Sequence, residues 1–233
     1  MLKALMTYAV GGRCCEFLPG SPVLPTVVLV HGLLHRGIMM WSLARFLNRR
    51  GYPVRIYDYK TTRHGIVAHG QAFAKYLERL PEKERIAMVT HSMGGLLARV
   101  ALCELAGTPV AKRIGRIVML APPHGGSQMA EDVARCFPPS KLLVRPLEEL
   151  SNRPDALCRN LPVPEGYEIG VVAGDCDGKV SIESTRLPGM VDHVVVHARH
   201  VFSMFLPETR TQILEFLRNG RFRRSWETVL ERD

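Results

Sequence analysis

Ile86-Ala87-Met88-Val89-Thr90-His91-Ser92-Met93-Gly94-Gly95-Leu96-Leu97-Ala98-Arg99 decides the fold of this chain. A short apolar run leads into a serine flanked by small residues, and a helix-forming stretch follows without a break. The pattern is strand, sharp turn, helix, with Ser92 at the tip of the turn and its hydroxyl outward. Such a turn strains the backbone at the serine, so the residues two before and two after it should be small. Gly94 and Gly95 meet that demand. Thr90 departs from it, because glycine or alanine is usual there. Its β-branch suits a strand end, at the cost of a slightly wider turn or of crowding against the helix behind.

Outward from this stretch the chain alternates. On the N-terminal side, after a short lead-in, Pro25–Gly32 reads as a buried strand, apolar throughout and closed by glycine. Gly37–Arg50 carries Ile38, Trp41, Leu43, Phe46 and Leu47 at roughly helical spacing, with Gly51 as its stop. Pro53–Tyr59 is a second strand, and Ile66–Leu80 a helix with Phe73, Tyr76, Leu77 and Leu80 on one face. On the C-terminal side, the helix after Ser92 runs to about Ala106, and Arg116–Ala121 is a strand ended by Pro122-Pro123. Strands at Glu168–Gly174 and His193–His197 follow, then a helix over Val201–Asn219. Six apolar strands joined by helices predict an α/β fold with a mostly parallel sheet and helices on both faces. Ligands in such sheets bind at the carboxyl ends of the strands. Residues 125–164 are rich in proline and too long for a plain loop, so they predict a small helical insertion in a single domain of residues 1–233.

Bulk composition excludes several classes. The 233 residues suit one domain with one large core, and 46% hydrophobic with 23% charged residues is ordinary for a soluble protein. No run reaches the ~18 apolar residues of a membrane span, and the first ten residues lack the cleavage pattern of a signal peptide. The six cysteines show neither metal-ligand nor redox spacing, and Cys103 falls in a helix as a reduced, packed thiol. These features point to a cytoplasmic protein. The net charge of +9 owes much to the tail Arg218–Trp226. That tail reads as a solvated basic end, with peripheral contact to anionic membrane as the alternative. No motif supports specific nucleic-acid binding, and no His/Cys/Asp cluster has the spacing of a metal site. No cofactor is expected.

A serine hydroxyl is a poor nucleophile until a base takes its proton, and that base needs an acid to fix its tautomer. Ser92 follows the third strand, Asp175-Cys176-Asp177-Gly178-Lys179-Val180-Ser181 follows the fifth, and His200 follows the sixth. The order Ser…Asp…His, with His31-Gly32-Leu33-Leu34, Ala121–Ser127 and His200-Val201-Phe202 each just after a strand, resembles an α/β-hydrolase of the small bacterial lipase/esterase type. The resemblance spans residues 26–217. It implies Ser92 as nucleophile in a nucleophile elbow, His200 as general base and acid, and Asp177 as the orienting carboxylate. It also implies an oxyanion hole from the backbone N–H groups of Leu33 and Met93. Asp175 and His197 are the competing acid and base. His31 and His91 are read as loop-holding residues, and His35, His64 and His69 as surface residues. His124 is given a structural role, with a substrate-side contact as the alternative.

The insertion would lie over the site as a lid. Its apolar side chains, with Leu33, Leu34, Met39, Met40 and Met93, would line an acyl pocket, while some must pack on the domain instead. A lipid-like or aliphatic carboxylic ester is the implied substrate, cleaved through a Ser92 acyl-enzyme. An acyltransferase with the same three residues, or a non-catalytic binder on the same fold, are the alternatives.

Overall fold

The computed structural model describes residues 5–9, 12–17, 20–21, 23–136, 139 and 143–224. Eight strands form one sheet in the order β1-β2-β4-β3-β5-β6-β7-β8. The six strands legible in the sequence are β3 (Thr26–Val30), β4 (Val54–Asp58), β5 (Ile86–His91), β6 (Ile114–Leu120), β7 (Ile169–Gly174) and β8 (Asp192–Val196). All six pair in parallel. The lead-in was read as having no strand, but it holds β1 (Leu5–Ala9) and β2 (Gly12–Phe17), an antiparallel pair whose second strand adds antiparallel to β4. Gly11-Gly12 was the available sequence signal for this pair.

The alternation of side chains along each strand feeds two separate cores. Val28 and Val30 of β3 face one side, with Met88 of β5 and helices α2 (Ile66–Glu78) and α3 (Met93–Glu104). Val27, Leu29 and Val89 face the other, with α1 (Trp41–Asn48) and α7 (Pro207–Asn219). Both faces are covered, which is why these strands read as unbroken apolar runs. The helix expected over residues 37–50 opens as a 3-10 turn, Gly37–Met40, before α1 begins. Only Leu43, Ala44 and Leu47 of α1 are buried, and Ile38 and Trp41 face outward. The last helix starts later than its pattern suggested, because Pro207 can only open it.

Between β6 and β7 the chain forms α4 (Gln128–Cys136), α5 (Pro146–Glu149) and α6 (Leu157–Asn160). Leu147, Leu150, Cys158 and Leu161 join the core beside α2 and α3, whereas Met129, Val133 and Leu143 stay exposed. Phe137 and Leu142, also expected among the apolar side chains of this segment, lie outside the described residues. Cys158 is buried, and Cys103 is only half-buried. Of the basic tail, Phe222 packs on Phe216 and its N–H donates to Asp192, while Arg224 pairs with the same carboxylate. The tail as far as Arg224 is therefore anchored at the amino end of β8 through Phe222, while Arg218, Arg221, Arg223 and Arg224 stay exposed to solvent, and residues 225 and 226 lie outside the described residues.

Strand order locates the functional crevice. The chain leaves β3 toward β4 on one side and returns past β3 to β5 on the other. The loops at the carboxyl ends of β3 and β5 therefore part in opposite directions and leave a cleft between them. Among the described residues, no helix is long and apolar enough to cross a membrane.

Candidate active site

Ser92 stands between β5 and α3 with φ 53° and ψ −126°. An L-residue adopts this conformation only where its surroundings impose it. Here the Ser92 N–H donates to Leu120 O at 2.8 Å, and the Gly95 N–H donates to Ser92 O at 2.8 Å. The flanking glycines are required by space. A Cβ on Gly94 would stand 2.7 Å from Val30 O, and one on Gly32 would stand 2.9 Å from the Cβ of Ser92. Thr90 is fully buried, and its hydroxyl finds no hydrogen-bond partner. A Cβ on Gly95 would lie 2.9 Å from the Cβ of Pro122, so the second glycine makes room for the loop after β6, while its 3.5 Å from the Thr90 hydroxyl would be an ordinary contact.

The structure brings Asp177 and His200 to this serine. His200 Nε2 is 2.9 Å from Ser92 Oγ, and His200 Nδ1 is 2.6 Å from Asp177 Oδ2. With Nδ1–H donating to the carboxylate, Nε2 is free to accept from the serine hydroxyl. The other oxygen, Asp177 Oδ1, accepts from the N–H groups of Lys179 and Val180 at 2.8 and 3.0 Å. The Asp177 side chain is 1% exposed and that of His200 7%. Asp175 turns away from them. It pairs at the surface with His197, whose ring Nδ1 lies 2.9 Å from its carboxylate, and Cys176 joins them. Their ligand atoms all lie within 4.8 Å of one another. The grouping draws on the ends of β7 and β8, so residue spacing gave no sign of it.

His91 and His31 hold loops from beneath. His91 Nε2 lies 2.9 Å from the carbonyl of His200, so this nitrogen carries the proton and donates. Burial, followed by the neighbouring His200, pushes the His91 pKa well below its ordinary value. His31 Nε2 lies 2.9 Å from Asp58 Oδ1 and ties the β3 loop to the end of β4. Burial works against the Asp58 charge, yet hydrogen bonds from His31, the Gly37 N–H and Arg36 outweigh it and hold its pKa at about 2. Next to His31, the Leu34 N–H donates to Thr61 Oγ1 and the His35 N–H to Gly32 O. The Leu33 N–H, just before them, meets no protein acceptor among the described residues. Met93 opens α3, so its N–H has no carbonyl one turn back in the helix.

Several expected surfaces are corrected. Met40 is fully buried beneath the sheet among Leu29, Leu43 and Ile56, so it lines no pocket. Its position, the last in the 3-10 turn before α1, points it into the core. Met39 lies half-buried in a groove beside α1, and Leu34 is exposed. His124 is 4% exposed, with its Nδ1 3.3 Å from Arg99. His69 is also buried, because it lies four residues before Phe73 on the inner face of α2. His35 stacks on His91 at 5.5 Å between ring centroids. Of the three histidines expected at the surface, only His64 is exposed.

One group escaped the sequence reading. Arg99, 3% exposed on α3, donates to the carbonyls of Cys158, Leu161 and Pro162 and has no carboxylate partner among the described residues. It fastens the segment after β6 to the helix that follows Ser92. An arginine inside Leu96-Leu97-Ala98-Arg99-Val100-Ala101-Leu102 was the available signal.

Residues 27–218 match the model described as the Alpha/beta hydrolase family. No curated protein matches the chain by sequence. Among solved structures, the mature form of lipase BlEst2 from Bacillus licheniformis is similar with a TM-score of 0.69 and 17% identity, over 91% of this chain and 99% of that one. The chain covers 50% of the propeptide form of the same lipase. The Type II thioesterase YbtT of a yersiniabactin pathway gives a TM-score of 0.61 and 16% identity, over 88% and 96%. Phospholipase PlaB from Legionella pneumophila gives 0.67 and 16%, over 84% and 60%.

Proposed function

The chain belongs to the alpha/beta hydrolase family, and from that premise we propose that it is a serine hydrolase of carboxylic esters with aliphatic, lipid-like acyl chains. The observation that carries this reading is the continuous hydrogen-bonded line from Ser92 Oγ through His200 to Asp177. In the proposed reaction, Ser92 Oγ attacks the ester carbonyl carbon while its proton passes to His200 Nε2. Asp177 stays ionised and stabilises the imidazolium through Nδ1–H. The tetrahedral oxyanion sits between the N–H groups of Leu33 and Met93, where the amino end of α3 adds its dipole. Collapse breaks the bond to the leaving alkoxide, which takes the proton from His200 and departs as an alcohol. Water, deprotonated by His200, then cleaves the acyl-Ser92 ester and releases the acid.

Residues 125–164 serve as the lid in this reading. Exposed Met129, Val133 and Leu143 there, with Leu34 on the β3 loop, are the apolar surface offered to an acyl chain.

The test is covalent labelling by a fluorophosphonate, followed by hydrolysis of oxygen esters and thioesters of graded acyl length. Labelling of wild type and none of Ser92→Ala, with turnover rising from acetyl to medium-chain esters, is the expected result. Equal labelling of both proteins would overturn the nucleophile assignment. Turnover only when an alcohol acceptor is added would replace the hydrolase by an acyltransferase.

A further inference from the structure

Between Glu16 and Asp58 the sequence holds five arginines and no carboxylate. Three of these arginines, Arg45, Arg49 and Arg50, lie on or just after α1 and meet Arg210 of α7 along one open groove of about 620 Å³. No acidic side chain lines the groove, and none of the four guanidinium groups makes a salt bridge among the described residues. They are crowded together without counter-charge. The Arg50 guanidinium lies 3.5 Å from the centre of the Phe46 ring and that of Arg210 5.6 Å from the same ring. Arg210 is aimed by Ser42 Oγ, which accepts from its Nη2 at 2.7 Å. Burial, then the charge on Arg50, lowers the Arg210 pKa.

A second feature lies in the same two stretches of chain. Leu34, Ile38, Trp41 and Phe202 are all exposed, Ile38 at 68% and Phe202 at 60%. Residues 34–41 continue the loop after β3, and residue 202 follows His200, so both stretches leave directly from the candidate active site. Scattered exposed apolar residues need no explanation, but exposed Ile38 and Trp41 lining an unpaired cationic groove do. A small soluble anion would use the arginines and leave the apolar side chains in water. A bilayer surface uses both.

We propose that α1, the loop of residues 34–41 and the segment 202–210 form a docking face for an anionic phospholipid bilayer. Arg45, Arg49, Arg50 and Arg210 take the headgroup phosphates, and Leu34, Ile38, Trp41 and Phe202 enter the boundary between headgroups and acyl chains. Tryptophan is suited to that depth by its apolar ring and polar N–H. The face is distinct from the basic tail, whose described part is fixed at the amino end of β8. Docking here would hold the loops after β3 and β8, and so the cleft beside Ser92, against the membrane.

The test is co-sedimentation of the full chain with sucrose-loaded vesicles of phosphatidylcholine alone or mixed with phosphatidylglycerol. The wild type should bind the anionic vesicles and be released by salt. Arg45→Glu combined with Arg49→Glu should weaken that binding by about tenfold or more, and the uncharged Ile38→Asn should weaken it without changing the salt dependence. Fluorophosphonate labelling of Ser92 and the thermal midpoint should stay unchanged in these variants, which separates loss of docking from loss of fold or of chemistry. The proposal is overturned if the charge-reversed variant binds as well as wild type, or if neutral and anionic vesicles bind alike. It is equally overturned if inorganic phosphate at matched ionic strength abolishes vesicle binding, since the groove would then be a small-anion site. Binding to vesicles without ester turnover would leave the docking face standing and count against the proposed hydrolase instead.

Discussion

Leu34, Ser92 and Ala121 are the three non-glycine residues with positive φ among those described, at 59°, 53° and 45°. Each lies just beyond the carboxyl end of a strand, β3, β5 and β6 respectively, so the backbone strain collects around one cleft. The surrounding contacts that impose it are also the ones most sensitive to change. Gly32→Ala sets a methyl 2.9 Å from the Cβ of Ser92 and must displace the serine or the loop beside it. We expect a fall in kcat/KM on a soluble ester of about 10²-fold, larger than any accompanying loss of thermal stability explains. Full activity in this variant would show that the β3 loop has more freedom than the structure gives it. Asp175 provides the complementary case. Its partner is the exposed His197, so Asp175→Asn should leave kcat/KM near wild type, whereas Asp177→Asn should lower it by about 10³-fold or more.

At the level of elements, the stretch after Ser92 is held between two neighbours. Helix α2 approaches α3 closely at Gly70, where an added Cβ would run into Val100. Gly70→Ala should cost about 1–3 kcal/mol in denaturant unfolding, and Val100→Ala in the same chain should recover most of it. Additive losses in the double variant would show that the helices do not meet there. On the other side, Arg99 satisfies three carbonyls of residues 158–162. Arg99→Leu would leave those acceptors buried and unpaired, at about 1–3 kcal/mol each if none finds water. Amide exchange should then quicken across residues 157–163 while β5 and β6 stay protected. The parallel strands and α2 were legible because their periods are strong and their ends carry glycine or proline. The β1–β2 pair had Gly11-Gly12 as its local signal, but its attachment to β4, which joins Arg13–Phe17 to Val54–Asp58, has no local pattern to announce it. Likewise, Ile38 and Trp41 fit a helical period that told nothing of which face would be covered.

For the whole molecule, buried neutral histidines set the response to acid. Burial, helped by neighbouring charge, pushes His69 down to about 4 and His91 and His124 well below their ordinary value. The unfolded chain takes up these protons near pH 6.5, so below that value it binds more protons than the folded one and stability falls as the pH drops. Asp58 adds a further loss as the pH falls from its ordinary range toward 2. Glu149, raised by burial, works in the opposite direction and offsets a part. The urea midpoint should therefore be lower at about pH 5 than at about pH 7, and less so in His69→Gln. An unchanged midpoint would mean that these rings are protonated in the folded state or reach solvent. The site was legible at this scale because Ser92, Asp177 and His200 each follow a strand, and a parallel sheet gathers its strand ends. The choice of Asp177 over Asp175 rested on a resemblance in sequence and is a matter of 2.6 Å in the structure.

The central claim is that Ser92, His200 and Asp177 act as one unit. It is tested most directly by comparing kcat/KM for Ser92→Ala, Asp177→Asn and the double variant on one soluble ester. Groups that serve a single nucleophile fail together, so the double variant should be no slower than Ser92→Ala alone. Losses that multiply in the double variant, or near-normal turnover in Asp177→Asn, would contradict the account.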